Sequence, residues 1–238
     1  HRAKSSTTPW LRAHVCADPA DYMPHAEAPV PVEDALSAQD SEIWDTVRNV
    51  GQLMDAILEG PRGDRTISII TSDHGEGLGE HDNFGKHRTL NHECLHVPLL
   101  VYVPGLPAVE IAEPVSLIDL FPTIADLVGG PQPESVLGYS LAPSVAGASL
   151  AHRGPVFAEV SWRGKTPRTG YVAAISSEKQ LIKEVYSGRL ELYDLAADRD
   201  EQLNLLLAGP DAATELLPAL NQFLESTVIV TPGKRRIP

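Results

Sequence analysis

Hydrophobic positions in the first part of the chain recur at a spacing that predicts a helix. Apolar residues return every three or four positions between residues 43 and 58, which is the period of one face of an α-helix. That helix should begin near Asp34 or Ser37, end before a turn at residues 60–64, and pack on a sheet as scaffold. The apolar stripe consists of Ile43, Val47, Val50, Leu53, Met54, Ile57 and Leu58.

Two short apolar runs near the middle of the chain predict strands. Residues 66–71 are largely β-branched, which is typical of a strand covered on both faces in a parallel sheet. Residues 99–103 form the second run, and residues 117–128 predict a short helix that Gly129 ends. Within that helix, Asp119 is expected to be a cap or a buried hydrogen-bond acceptor rather than a metal ligand. Residues 1–150 are therefore predicted to form an α/β domain.

The last third of the chain has a different pattern. Four short strand-like runs, residues 156–160, 171–175, 180–185 and 190–193, are separated by turn signals, the spacing of an antiparallel sheet. Ser187 and Gly188 provide the turn of the last hairpin. Residues 212–228 then predict an amphipathic helix. We therefore predict a second, small antiparallel α+β domain over residues 151–238.

Composition excludes some classes of partner. The chain has 238 residues, with 19 Lys and Arg against 32 Asp and Glu, so its net charge of −13 argues against nucleic acid or an anionic membrane as a general partner. No apolar run is long enough to predict a membrane span. Cys16 and Cys94 follow no motif, so both are expected to be small buried hydrophobic residues rather than a disulfide or reactive thiols.

The residues after the first predicted strand carry the densest candidate chemistry. Asp73 and His74 follow where that strand should end, and ligands of open α/β sheets bind outside the carboxyl ends of the strands. A carboxylate beside an imidazole can turn toward one divalent cation, and Gly75 lets the backbone bend. Lys86 and Arg88 add positive charge suited to a sulfate or phosphate group. Five of the nine histidines lie in the same stretch, at positions His74, His81, His87, His92 and His96.

This stretch also resembles a known family. The segments SDHGEGLGEH and GKHRTLNHECLHVPLLVYVPG are similar to the sulfatase family of the alkaline-phosphatase superfamily, and the similarity continues through SLIDLFPTIADLVG, GYSL and LYDLAADRDEQLNL. The resemblance implies a partial alkaline-phosphatase-like sheet and a metal-dependent hydrolase of sulfate or phosphate-type esters. It places Asp73 and His74 on the metal-binding pair and Lys86 on a substrate-contacting position. His87 would assist Lys86 in neutralising the departing charge, and Arg88 would bind substrate.

The sequence departs from the family pattern in two ways. The resemblance implies a formylglycine nucleophile made from a cysteine in a CxPxR-like motif, and neither Cys16 nor Cys94 fits that motif. We therefore expect the nucleophile, and the N-terminal half of the catalytic domain, outside these residues. Ala20 stands where the family has a histidine that assists the leaving group, so either His14 or His25 substitutes for it or general-acid help is lost.

Three functions remain open from the sequence. The first is a sulfatase that uses Ca²⁺ or Mn²⁺, less favourably Zn²⁺, to cleave the sulfate ester of a small molecule or saccharide. The second is a phosphodiesterase or phosphonate monoester hydrolase, which the imidazole ligand keeps open because nitrogen suits Mn²⁺ or Zn²⁺ better than Ca²⁺. The third is an inactive sulfatase-like remnant, since two ligands alone hold a cation weakly. The sequence leaves the compartment, cytoplasmic or periplasmic, and the oligomeric state open.

Overall fold

The computed structural model describes residues 32–78, 80–82, 84–85, 89–150, 153–162, 169–209, 213 and 215–226. The chain divides into two compact units: one takes residues up to Ile111 together with Leu117–Ala151, and the other takes Ala112–Ser116 and the residues from His152 onward. The identity of residues 1–150 and 151–238 as two domains stays a prediction. Within the described residues, no helix is both long and apolar enough to cross a membrane.

The first helix, α1, spans Val32–Leu58 and has the predicted stripe. Its half-buried positions follow spacings of four, three, four and three residues, at Ile43, Val47, Val50, Met54 and Ile57. The helical period is therefore confirmed. We expected α1 to pack closely on a sheet, and its described residues do not show this. None of their side chains is fully buried, and Leu53 is 60% exposed.

Strand β1 spans Ser68–Thr71 in the first unit. It is followed by two very short strands, β2 at Gly77–Leu78 and β3 at Phe84–Gly85. Helix α2 at His92–Leu95 and strand β4 at Leu99–Tyr102 come next.

The prediction of a parallel strand covered on both faces is wrong for β1. It pairs with β4 in antiparallel orientation, with Ser68 opposite Tyr102 and Thr71 opposite Leu99. The connection between them returns to the carboxyl end of β1, so β4 runs back along it. A β-branched apolar run indicates burial but does not specify strand direction, and here Ile69 and Ile70 are only half-buried.

Helix α3, Leu120–Leu127, extends a single 3₁₀ turn at Leu117–Asp119, which confirms the helix predicted over residues 117–128. Gly129, at φ 67°, ends it as predicted. Asp119 is 1% exposed and accepts a hydrogen bond from the backbone N–H of Tyr139 at 2.9 Å, so its prediction as a buried acceptor is confirmed.

The segment after α3 is held to it by two buried polar side chains. Besides the Asp119 contact, Thr123 Oγ1 donates to the carbonyl of Asp119 at 2.6 Å and accepts from the N–H of Leu141 at 2.8 Å. A Cβ atom at Gly138 would overlap the carbonyl oxygen of Ile118, so only glycine permits this approach. Helix α4, Ala142–Val145, follows directly and buries Val145.

The second unit contains the predicted four-stranded antiparallel sheet, in the order β5, β6, β7, β8. The strands span Val156–Trp162, Thr169–Ile175, Lys179–Glu184 and Leu190–Asp194. Gly188, at φ 75°, donates its N–H to the carbonyl of Glu184, so the predicted hairpin turn is confirmed.

Helix α5, Leu217–Ser226, covers the core of this unit. Leu220 is completely buried, and the rings of Phe223 and Phe157 stack with centroids 4.5 Å apart. The other core residues are Val172, Ala174, Leu181, Leu192, Ala213 and Leu216. The amphipathic helix predicted over residues 212–228 is therefore confirmed, although it begins later than expected.

Truncating Leu220 should destabilise the second unit. Leu220→Ala removes a side chain with 0% exposure and leaves a cavity, so we expect the free energy of unfolding to fall by about 2–5 kcal/mol. Urea denaturation followed by circular dichroism measures the change. Leu207→Ala is the matched control, because Leu207 is 85% exposed and its loss should change the free energy of unfolding by no more than about 0.5 kcal/mol. Equal effects of the two substitutions would contradict the assigned core.

Candidate active site

Asp73 and His74 lie immediately beyond the carboxyl end of β1, and their side chains converge. Asp73 Oδ2 is 3.4 Å from His74 Nε2. Asp73 Oδ1 also accepts the backbone N–H of His74 at 3.1 Å, and Ser72 Oγ donates to the carbonyl of His74 at 2.7 Å. The carboxylate is 85% exposed and the imidazole 29% exposed, so the pair is accessible from solvent.

The hydrogen bonding of His74 determines which ring nitrogen can bind a cation. Its Nδ1 is 2.7 Å from the carbonyl oxygen of Gly75, which can only accept, so Nδ1 carries the proton. Nε2, which is 3.4 Å from Asp73 Oδ2, is then the ring nitrogen that could bind a cation. A carbonyl partner at the second nitrogen is the usual way in which proteins orient a metal-binding histidine.

The spacing of the two acceptors fits one cation. Two ligand atoms that are each about 2.2 Å from an ion and at right angles to one another are about 3.1 Å apart. The 3.4 Å between Asp73 Oδ2 and His74 Nε2 is close to that value.

The turn that carries this pair depends on a glycine. Gly75 donates its N–H to the carbonyl of Cys94 at 2.8 Å, which fastens the turn to α2. A Cβ atom at Gly75 would overlap the carbonyl oxygen of Glu93 and lie 3.2 Å from Cys94 Cα. The sequence Asp-His-Gly therefore places two candidate ligands on a turn whose third residue has to be glycine for α2 to approach.

Glu93 also contacts the segment that follows β2. Its Oε1 is 3.0 Å from Nδ1 of His81, and the side chains of Glu93 and His81 are only 9% and 17% exposed. His81 adopts φ 51°, a left-handed conformation that is uncommon for residues other than glycine. Helix α2 thus contacts both the turn of Asp73 and His74 and the loop between β2 and β3.

Cys94 is unsuited to act as a nucleophile. Burial raises the pKa of its thiol; a hydrogen bond with Thr89 opposes this increase, whereas the charge of Glu93 adds to it. A thiol with a raised pKa is protonated and unreactive near neutral pH. Cys94 is buried, as predicted, whereas Cys16 lies outside the described residues.

The other predicted site residues divide into two groups. Lys86, His87 and Arg88 lie outside the described residues, as do His14, Ala20 and His25. His92 and His96 stack on each other, with ring centroids 4.4 Å apart, while His81 is paired with Glu93. Among the described residues, no group of three or more His, Cys, Asp or Glu side chains could hold a metal ion.

The sequence analysis missed Glu93 and the close approach of α2 to Gly75. The family resemblance includes an acidic residue shortly before the HVPL segment, and that was the available signal for Glu93. The backbone contact at Gly75 leaves no signal beyond the glycine itself.

Two family models match the chain and together cover most of it. The model described as Sulfatase matches residues 12–130, and the model described as N-sulphoglucosamine sulphohydrolase, C-terminal, matches residues 79–228. The chain belongs to the sulfatase family. The predicted resemblance to sulfatases is therefore confirmed, and so is the prediction of a hydrolase family. Members of the sulfatase family use a divalent cation.

Curated relatives and solved structures agree with this family. Arylsulfatase K of Danio rerio is 31% identical over 184 residues, which are 74% of this chain and 34% of that protein. The chain thus spans about a third of the length of this relative. A 2-O GAG sulfatase has a TM-score of 0.72 at 23% identity, covering 88% of this chain and 46% of that one, which confirms the predicted fold class.

Two further solved structures are relevant to the site. A protein solved with its substrate D-glucosamine-2-N,6-O-disulfate has a TM-score of 0.59 at 25% identity, covering 75% of this chain and 37% of that one. The phosphonate monoester hydrolase of Agrobacterium radiobacter has a TM-score of 0.60 at 27% identity, covering 74% of this chain and 37% of that one. Both sulfatases and a phosphonate hydrolase therefore share this fold.

Substitution of Gly75 should disrupt the turn that holds Asp73 and His74. In Gly75→Ala, the new methyl group overlaps the Glu93 carbonyl, so α2 or the turn has to move at a cost of about 1–3 kcal/mol. Thermal denaturation should show a lower Tm. Gly51→Ala is the matched control, because its Cβ meets nothing within 4 Å and alanine favours the helix by up to about 1 kcal/mol. A Tm for Gly75→Ala equal to that of Gly51→Ala would refute the close approach.

Proposed function

We propose that this protein hydrolyses the sulfate ester of a small molecule or saccharide with one divalent cation, and that these 238 residues supply one part of the active site. The observation that carries the proposal is the convergence of Asp73 Oδ2 and His74 Nε2, 3.4 Å apart beyond β1, inside the segment that the sulfatase model matches. The family membership and the arylsulfatase relative support sulfate as the group transferred.

Asp73 and His74 would hold the cation, which supplies Lewis acidity and offsets the negative charge that develops on the sulfate. One carboxylate oxygen and one imidazole nitrogen suit Mn²⁺, and the exposed carboxylate also suits Ca²⁺. Zn²⁺ is less favoured, because sites rich in nitrogen and sulfur are its usual preference. Two ligands are too few for any of these ions, so the remaining ligands would come from residues outside the described part of the chain.

Three cationic or titratable residues follow β3 directly in the sequence, and we assign them to the sulfate group. Lys86 would contact the sulfate oxygens and, with His87, neutralise the charge on the departing oxygen. Arg88 would bind the sulfate through two parallel N–H donors. These roles are supported by the family resemblance and by the position of the three residues immediately after Gly85.

The nucleophile is expected outside this chain. Formylglycine is the nucleophile that the resemblance implies, and neither cysteine here lies in a suitable motif. Cys94 is further disfavoured by its burial and raised pKa. The matched part is 34% of the length of the arylsulfatase relative, which leaves ample length in such a protein for a segment that carries the nucleophile.

A phosphonate monoester or phosphate diester is the second candidate substrate class. The phosphonate monoester hydrolase of Agrobacterium radiobacter shares the fold at 27% identity and a TM-score of 0.60. Sulfate and phosphonate esters present the same tetrahedral arrangement of oxygens to a cation and a lysine. The sulfate ester is preferred because both family models and the curated relative are sulfatases.

Removing either proposed ligand should abolish most turnover. In the full-length enzyme, Asp73→Asn and His74→Ala should each lower kcat/KM for an aryl sulfate by at least about 10²-fold, because the cation loses a ligand and stabilises the transition state less. Steady-state kinetics with added Mn²⁺ or Ca²⁺ measure the loss, and calorimetric titration measures the cation affinity. Asp64→Asn, an exposed carboxylate in the turn before β1, should leave both unchanged.

The same assay separates the three functions. Faster hydrolysis of an aryl phosphonate monoester than of the aryl sulfate would favour the second candidate. Hydrolysis of neither ester by the full-length protein would indicate an inactive sulfatase-like protein. Unchanged turnover and cation affinity in both Asp73→Asn and His74→Ala would exclude this pair as the metal site.

A further inference from the structure

His81 and Glu93 form a hydrogen-bonded pair that is largely shielded from solvent. The side chains are 17% and 9% exposed, and Nδ1 and Oε1 are 3.0 Å apart. By contrast, Arg48 and Asp45 on α1 are 56% and 60% exposed. Exposed pairs contribute little to structure, whereas a shielded charge-assisted hydrogen bond fixes the relative position of its two partners. The His81–Glu93 pair therefore constrains the two segments that it joins.

Glu93 is itself fixed on its backbone side. Its carbonyl oxygen lies against Gly75, and the neighbouring carbonyl of Cys94 accepts the N–H of Gly75 at 2.8 Å. Gly75 directly follows the proposed ligands Asp73 and His74. One residue of α2 thus connects the ligand-bearing turn, through its backbone, to His81, through its side chain.

The segment that His81 belongs to needs such an anchor. Among the described residues of this hairpin, strands β2 and β3 pair at two positions, Gly77 with Gly85 and Leu78 with Phe84. A two-stranded hairpin of this length is not stable by itself in water. His81 lies in the connecting turn, Glu80–Asp82, and has φ 51°. A non-glycine residue keeps such a conformation when its surroundings impose it.

The position of the hairpin matters because Lys86 is the next residue after Gly85 in the sequence. We propose that His81 and Glu93 are positioning residues, which fix the hairpin of β2 and β3 to α2 and thereby hold Gly85, where the segment that carries Lys86 begins, relative to the turn of Asp73 and His74. This inference rests on the proposed function, since it uses the role of Lys86 in that reaction. Neither His81 nor Glu93 is assigned a contact with the substrate.

Kinetics of the full-length enzyme test the inference. His81→Ala and Glu93→Ala should each lower kcat for an aryl sulfate by about 10- to 100-fold with little change in KM, because a displaced Lys86 stabilises the transition state less. The double substitution should cost no more than either single one, since the two side chains act as a unit. Lys179→Ala, which removes the more exposed ion pair with Glu215, is the control and should keep full activity.

A purely structural role is distinguished by two further variants. His81→Asn keeps a donor near the position of Nδ1 and should recover most of the activity. In a Lys86→Ala background, His81→Ala should lower kcat by no more than about twofold, because the residue that it positions has already been removed. An undiminished effect of His81→Ala in that background, or additive losses in the double variant, would overturn the proposal.

Hydrogen exchange supplies a readout that does not depend on turnover. Peptides covering residues 77–85 should exchange faster in His81→Ala than in the wild-type protein, while peptides from β5–β8 should be unchanged. If the full-length protein hydrolyses neither ester class, the proposed function is wrong, and so is the assignment of Lys86 to the sulfate group. Faster exchange would then still support the anchoring of the hairpin, and unchanged exchange would refute the anchoring whatever the activity.

Discussion

The backbone of Glu93 lies so close to Gly75 that no side chain fits between them, and the candidate site depends on this contact. It holds α2 against the turn that follows β1, and the hydrogen bond from Gly75 to Cys94 fixes the turn in place. The carbonyl oxygen of Gly75 accepts a hydrogen bond from Nδ1 of His74. The same glycine that lets α2 approach therefore also sets the orientation of the imidazole. The close approach at Gly75 therefore orients one candidate ligand, His74, directly, and it orients the other, Asp73, through its neighbour His74.

Antiparallel pairing of β1 and β4 explains how α2 reaches this turn. Because Thr71 lies opposite Leu99, the chain enters β4 beside the point where it leaves β1. Helix α2 ends at Leu95, only four residues before Leu99, so it is necessarily near the end of β1. In a parallel pair, the chain would enter β4 at the opposite end of β1, away from Asp73 and His74.

Features that arise from local periodicity were predictable from the sequence, whereas features that depend on contacts between distant residues were not. The α1 stripe, the helix ended by Gly129 and the four strands of the second unit are each encoded in spacings of two to four residues, and the structure confirms them. Asp119 was also predicted, since an acid within an apolar helix needs a partner. The direction of β1 and the His81–Glu93 pair could not be predicted from such patterns. Strand direction, and a contact between residues twelve positions apart, depend on the path of the intervening chain.

The two candidate ligands, Asp73 and His74, have a spacing that is compatible with the proposed cation. Nδ1 of His74 is hydrogen-bonded to the carbonyl of Gly75, which leaves Nε2, 3.4 Å from a carboxylate oxygen of Asp73, as the nitrogen that could bind a cation. A cation bound between these two atoms would be attracted to both, and the net charge of −13 on the chain would add to that attraction. The same reasoning explains why a lysine near the site would complement the cation: it would add positive charge for the oxyanion without competing for the acceptors that hold the metal.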